Sequence, residues 1–143
     1  MWSHYGDNHT GFCIGFHEQK LRESGKFGAC GMVDYCDTDD YPFIDPLWEN
    51  FEEKSLERTH SKSKKWIYEE EYRALKTFTP IPPKINDRLV NFDNDLVSEI
   101  VLGINISKKD KKEIINIARQ KSISIFQAHK IPFKFLIGRE EIM

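Results

Sequence analysis

No run of apolar residues in this chain approaches the ~20 that a membrane-spanning helix needs, so no membrane partner is expected. A basic stretch leading into an apolar one is also missing from the first residues, and no signal peptide is expected. Charge of one sign is lacking too. Lysine and arginine number 21 against 23 aspartates and glutamates, a net charge of −2. That balance supplies no broad positive field for nucleic acid phosphates. Cysteine is scarce and odd in number, with Cys13, Cys30 and Cys36 and no CxxC pair. This argues against a disulfide framework and a zinc ribbon, and fits free thiols in a reducing, cytoplasmic setting. The chain carries no Walker loop, GxGxxG, HExxH or nucleophile elbow. DTDDYPFID fails as a calcium loop. Counted from Asp37, Pro42 falls where glycine is required and Trp48 where a bidentate glutamate is required.

What remains is a globular composition, 39% hydrophobic and 31% charged over 143 residues, read as one domain over 1–143. Trp2 to His9 reads as a short helix ended at Gly11, with Trp2, Tyr5 and His9 on one side and His4 and Asn8 on the other. Phe12 to Phe16 reads as a strand, apolar on both faces and so expected to be covered on both. Gly15 within it allows another backbone or a ligand close approach. Residues 17–27 are polar and read as a short helix or a connection, and 29–36 form a second strand candidate.

Asp45-Pro46 opens a helix with Leu47, Trp48 and Phe51 as its apolar stripe. A short helix over 65–69 leads into an extended segment over 71–76, and PIPPK is a loop. The last third is more regular. A strand over 97–103 precedes a helix capped by Ser107 with Asp110, whose stripe is Ile114, Ile117 and Ala118. Two strands over 123–129 and 133–138, joined around Ile131-Pro132, complete an α+β pattern. A mixed or antiparallel sheet with several short packing helices is expected.

Two stretches hold residue types suited to chemistry. In KWIYEEEYRAL, a strand opening at Glu71 places Glu71 and Arg73 on one face. A guanidinium can then orient the carboxylate, and an oriented carboxylate can hold a ribose hydroxyl or take a proton. The plainer alternative is an exposed ion pair worth ~0–1 kcal/mol. In MWSHYGDNH, His4 and His9 can act as acid, base or ligand, and Trp2 and Tyr5 offer stacking faces. The alternative there is aromatic packing with locally satisfied histidines. On a helix His4 and His9 point apart, so no metal site is expected.

WSHYGDNHTGFCIGF, WIYEEEYRAL and SEIVLG together resemble a bacterial family known as domain of unknown function 2971. The matching positions are Trp2, His4, Tyr5, His9, Gly11 and Cys13, then Trp66, Tyr68, Glu69, Glu71, Tyr72 and Arg73, then Ile100, Leu102 and Gly103. Members of that family have a substantial region before the Trp motif. The resemblance therefore implies that 1–143 is the C-terminal part of a family domain, truncated upstream. By analogy, the order His-Tyr, strand, later Glu is similar to NAD-cleaving ADP-ribosyltransferases. That analogy implies a nucleotide site with NAD as cofactor, Glu71, Arg73 and His4 as catalytic residues, and Trp2, Tyr5, His9, Trp66 and Glu69 in ligand binding. The rival expectation is a non-catalytic interaction module or a remnant.

Overall fold

The computed structural model describes residues 2–37, 39, 41–43, 45, 47, 51–78 and 83–143. Pro46, Trp48 and most of the PIPPK loop lie outside the described residues, as does the side chain of Phe51. The architecture is α+β. The chain separates into two compact units, one of Met1–Leu21 with Val90–Met143, the other of Arg22–Leu89. Among the described residues no helix is long and apolar enough to cross a membrane.

In the first unit a four-stranded mixed sheet has the order β1-β6-β7-β8. Its strands are β1 (Phe12–Phe16), β6 (Val97–Leu102), β7 (Ser124–Lys130) and β8 (Ile137–Glu141). β6 and β7 run parallel, and β1 and β8 close the edges antiparallel. Parallel neighbours need a crossover. Here it is α3 (Lys108–Lys121), opened by the expected cap: Ser107 Oγ accepts from the Asp110 amide at 3.1 Å. Ser122 ends the helix in the left-handed region, and the Ile123 amide returns to the Ala118 carbonyl at 3.0 Å.

Alternation on β6 and β7 sends Ile100, Leu102 and Ile125 toward α3, where they form the core with Ala118 and Ile123. Ile114 and Ile115 pack against that core, while Ile117 is 44% exposed. Glu99, Val101, Phe126 and Ala128 therefore occupy the opposite sheet face. β1 follows its expected bounds, but Phe12 and Ile14 are 47% and 46% exposed. The double cover expected for this strand is not found among the described residues: β1 is an edge strand beside β6, and these two side chains stay about half exposed.

Two further expectations are corrected. Residues 2–10 form a series of turns, not a helix, because Asp7, Asn8 and His9 all adopt positive φ (46°, 52° and 69°). Asp and Asn tolerate that region better than other side chains. Tertiary contacts hold it: the Asn105 amide donates to the His9 carbonyl at 2.9 Å, and the Gly103 amide to the Gly11 carbonyl at 2.9 Å. The second correction concerns the last strand, expected over 133–138 and found at Ile137–Glu141. Pro132 and Phe133 are spent in a turn closed by the Lys134 amide on the Ile131 carbonyl at 3.2 Å.

The second unit holds α2 (Phe51–Thr59) and two two-stranded sheets, β2 (Ala29–Met32) with β5 (Tyr72–Leu75), and β3 (Asp34–Cys36) with β4 (Ser61–Ser63). The single strand expected over 29–36 breaks at Val33, the only buried hydrophobic side chain among this unit's described residues. The expected short helix is a 3-10 turn over Lys64–Glu69. Leu47, assigned to a buried stripe, is 90% exposed. The helix α1 (Glu18–Glu23) lies in the segment read as a short helix or a connection.

Among the glycines, Gly103 faces the closest main-chain approach. A Cβ there would lie 2.2 Å from the His9 carbonyl oxygen and 2.7 Å from that of Gly11. Gly103→Ala is expected to lower unfolding stability by roughly 2–3 kcal/mol, because main chain rather than a flexible side chain must move. Urea denaturation checks this; an unchanged midpoint contradicts it.

Candidate functional site

The sequence-predicted residues fall into two groups, one in each unit, and each is described within its own unit. Glu71, Arg73, Glu69 and Trp66 belong to the second. Glu71 precedes β5 directly, and its backbone is doubly held. Its amide donates to the Tyr35 hydroxyl at 2.8 Å, and its carbonyl accepts from the Val33 amide at 2.9 Å. As the two-residue spacing anticipates, Arg73 reaches the same carboxylate. Arg73 Nε donates to Glu71 Oε1 at 2.6 Å and Nη2 to Oε2 at 3.2 Å, a bidentate pair.

The network extends further than this pair. Arg73 Nη1 also donates to the Thr59 carbonyl at the end of α2. Lys62 on β4 donates to Glu71 Oε2 at 2.8 Å and to Glu69. The Lys62 ammonium also lies 5.3 Å from the centre of the Trp66 ring. These charges are largely covered, with Glu69 8% exposed and Lys62 20%. Donation by Arg73, then by Lys62, pulls the Glu71 carboxyl down from 4.5 to about 2. The same bonds raise Lys62, through Glu69 and then Glu71, and raise Arg73 through Glu71. Lys62 escaped sequence reasoning because it sits in a run, THSKSKK, that reads as a solvated connection. Trp66 and Tyr68 are 41% and 59% exposed and tilt against each other with centroids 6.1 Å apart.

Trp2, His4, Tyr5 and His9 belong to the first unit. Trp2 and His9 do meet, stacked at 5.7 Å with planes 15° apart, through the turn geometry rather than a helical stripe. Gly6 permits this, because a Cβ there would meet Trp2 Cε3 at 2.8 Å. His9 Nδ1 is buried and has no hydrogen-bond partner among the described residues. A buried unpaired nitrogen on a backbone at φ 69° carries two costs at once, a pattern that concentrates at functional sites. His4 is exposed, and Tyr5 is 69% exposed.

Trp2 also walls a cavity of about 380 Å³ on the sheet face away from α3. Cys13, Glu99, Val101, Ala128 and Arg139 line it with Trp2. Burial raises the Cys13 thiol above its ordinary value, which keeps it in the thiol form. Arg139 on β8 pairs with Glu99 on β6, and its guanidinium lies 4.7 Å from the centre of the Phe126 ring. Arg139 is 51% exposed and Glu99 24%. Both escaped sequence reasoning. Arg139 falls past the expected end of its strand, and Glu99 looked like an ordinary polar position, although a lone carboxylate inside VSEIVLG was a usable signal. Among the described residues no three His, Cys, Asp or Glu side chains converge as a metal site requires.

Comparison with known families matches residues 1–74 to the family described as protein of unknown function (DUF2971), and the chain belongs to that family. The match covers the Trp-His-Tyr and Tyr-Arg motifs; the strand ending at Gly103 lies outside it. No curated protein and no solved structure matches the chain.

Because folding holds the Glu71 carboxyl well below 4.5, its stabilising effect is present above that value and fades as pH falls toward about 2. Glu71→Gln is expected to cost roughly 1 kcal/mol at neutral pH, a charged hydrogen bond discounted for partial exposure. It should also flatten the acid limb of the stability curve. Chemical denaturation from neutral to acid pH measures both; a variant that tracks the parent at every pH contradicts the assignment.

Proposed function

We propose that this family member is a binding module rather than a catalyst, and that its ligand is a nucleotide-type small molecule held in the cavity beneath Trp2. One observation carries this reading. An indole, a carboxylate and a guanidinium converge on a single hollow of about 380 Å³, within the size range of small-ligand sites. A mononucleotide presents a complementary set. Its base can stack on Trp2, a ribose hydroxyl can donate to Glu99, and its phosphate can accept from Arg139. The strained turn under His9 then serves to press a rigid aromatic wall into place.

The same reading assigns Glu71 and Arg73 to architecture. Transfer chemistry of the ADP-ribosyl type asks a carboxylate to receive a ribose hydroxyl. Both Glu71 oxygens already accept from Arg73 and Lys62. A carboxyl held near 2 is also a poor proton acceptor at neutral pH.

Titration calorimetry with AMP, nicotinamide mononucleotide and NAD tests the proposal. Trp2→Ala and Arg139→Ala are each expected to weaken binding at least ~10-fold, about 1.4 kcal/mol. Glu71→Gln should leave the affinity essentially unchanged. The reading fails if no nucleotide binds at millimolar concentration. It fails equally if Glu71→Gln abolishes binding while the two cavity variants retain it.

A further inference from the structure

The hairpin between β7 and β8 displays its side chains at a conformational cost. Phe133 and Phe135 are wholly exposed, at 108% and 111% of the reference, and Leu136 is 59% exposed. Exposed large apolar side chains are ordinary when scattered, but three within four residues at one tip form a patch. Phe133 in addition has φ 60°. It occupies the turn position, next after Pro132, where glycine or asparagine is usual. A glycine would fit that backbone better, and phenylalanine stays there without any packing to offset the strain.

The charge around the tip has one sign. Residues 128–136 read AHKIPFKFL, with Lys130 and Lys134 and no carboxylate. Lys130 and Lys134 are exposed, and among the described residues neither enters an ion pair. The nearest acids along the chain, Glu140 and Glu141, sit at the far end of β8. An aromatic wedge flanked by cations complements one kind of surface well. Rings enter the boundary between headgroups and acyl chains while ammonium groups meet lipid phosphates and carboxylates.

We propose that the Ile131–Leu136 tip docks the protein peripherally on an anionic lipid surface. This needs no spanning segment and is independent of the cavity beneath Trp2. The stem positions the wedge: the Ile131 amide donates to the Leu136 carbonyl at 3.1 Å, which closes the hairpin below the two rings.

Cosedimentation of the whole chain with vesicles is the test. Phosphatidylserine–phosphatidylcholine vesicles should retain the protein, pure phosphatidylcholine should retain several-fold less, and added salt should release it. Phe135→Ser and Lys134→Glu are each expected to cut the bound fraction at least threefold. Phe133→Gly separates docking from folding, because relief of the strained φ should raise the melting temperature while vesicle binding falls. The proposal is overturned if the anionic vesicles bind no protein, or if Phe133→Gly and Phe135→Ser bind as well as the parent. It is overturned too if the tip variants abolish only self-association or capture of an acidic protein and leave lipid binding intact.

Discussion

The Glu71 carboxylate is the joint of the second unit. Among its described residues that unit buries a single hydrophobic side chain, Val33. Its short strands carry few ladder bonds, and two-stranded sheets are marginal by themselves. Four elements nevertheless meet at one charged cluster. Arg73 brings β5 to the carbonyl end of α2, Lys62 brings β4, and Glu69 brings the 3-10 turn. Positive and negative groups alternate through the cluster, so each charge has a partner of opposite sign. Removing one carboxylate leaves two cations facing each other with reduced compensation, which costs more than an isolated surface pair would.

The first unit is held differently. Ile100, Leu102, Ala118, Ile123 and Ile125 make a continuous apolar layer between sheet and α3. The sheet's other face carries Glu99, Val101, Phe126 and Ala128. The opening turn lies over part of that face and is pinned by backbone contact at Gly103 and Asn105 instead of by side-chain packing. The result is a hollow with a rigid aromatic rim. Strain in the turn and the unpaired His9 nitrogen are tolerable only because these contacts over-determine the conformation.

Much of this fold is legible in the residues where local chemistry suffices. The strand at 97–102, the Ser107 cap and α3 follow from periodicity and a side-chain cap, both of which act over one or two turns of chain. The pairing of Glu71 with Arg73 follows from their two-residue spacing in an extended segment, with Glu71 lying just before β5. At Gly15 the close neighbours are side chains instead of the backbone or ligand expected, since a Cβ there would meet Glu99 Cγ and Ser98 Oγ at 2.7 Å, beside an irregularity in the ladder. The misses have a common origin in distant contacts. Trp2 to His9 has helical spacing, but Gly103 and Asn105, nearly a hundred residues on, draw it into left-handed turns. FKFLIG has strand composition, but Pro132 and Phe133 consume its first half in a turn. Lys62 and Arg139 were invisible as site residues because their partners sit on other elements.

The two arginine–glutamate pairs show why residue type alone does not locate a site. Arg73 and Glu71 stand two positions apart, and each has a further partner within its unit, in Thr59 and Lys62. A ligand anion arriving at Arg73 would have to displace bonds already made, and would regain little more than it broke. Arg139 and Glu99 come from strands that flank β7, and about half of the Arg139 side chain faces solvent. A phosphate there exchanges water for a charge-assisted bond and enters next to an indole that excludes water on one side. The gain per contact is therefore larger at the pair with fewer protein partners. The number of protein partners each group already holds, more than proximity of opposite charges, distinguishes a pair that holds a fold from one that can receive a ligand.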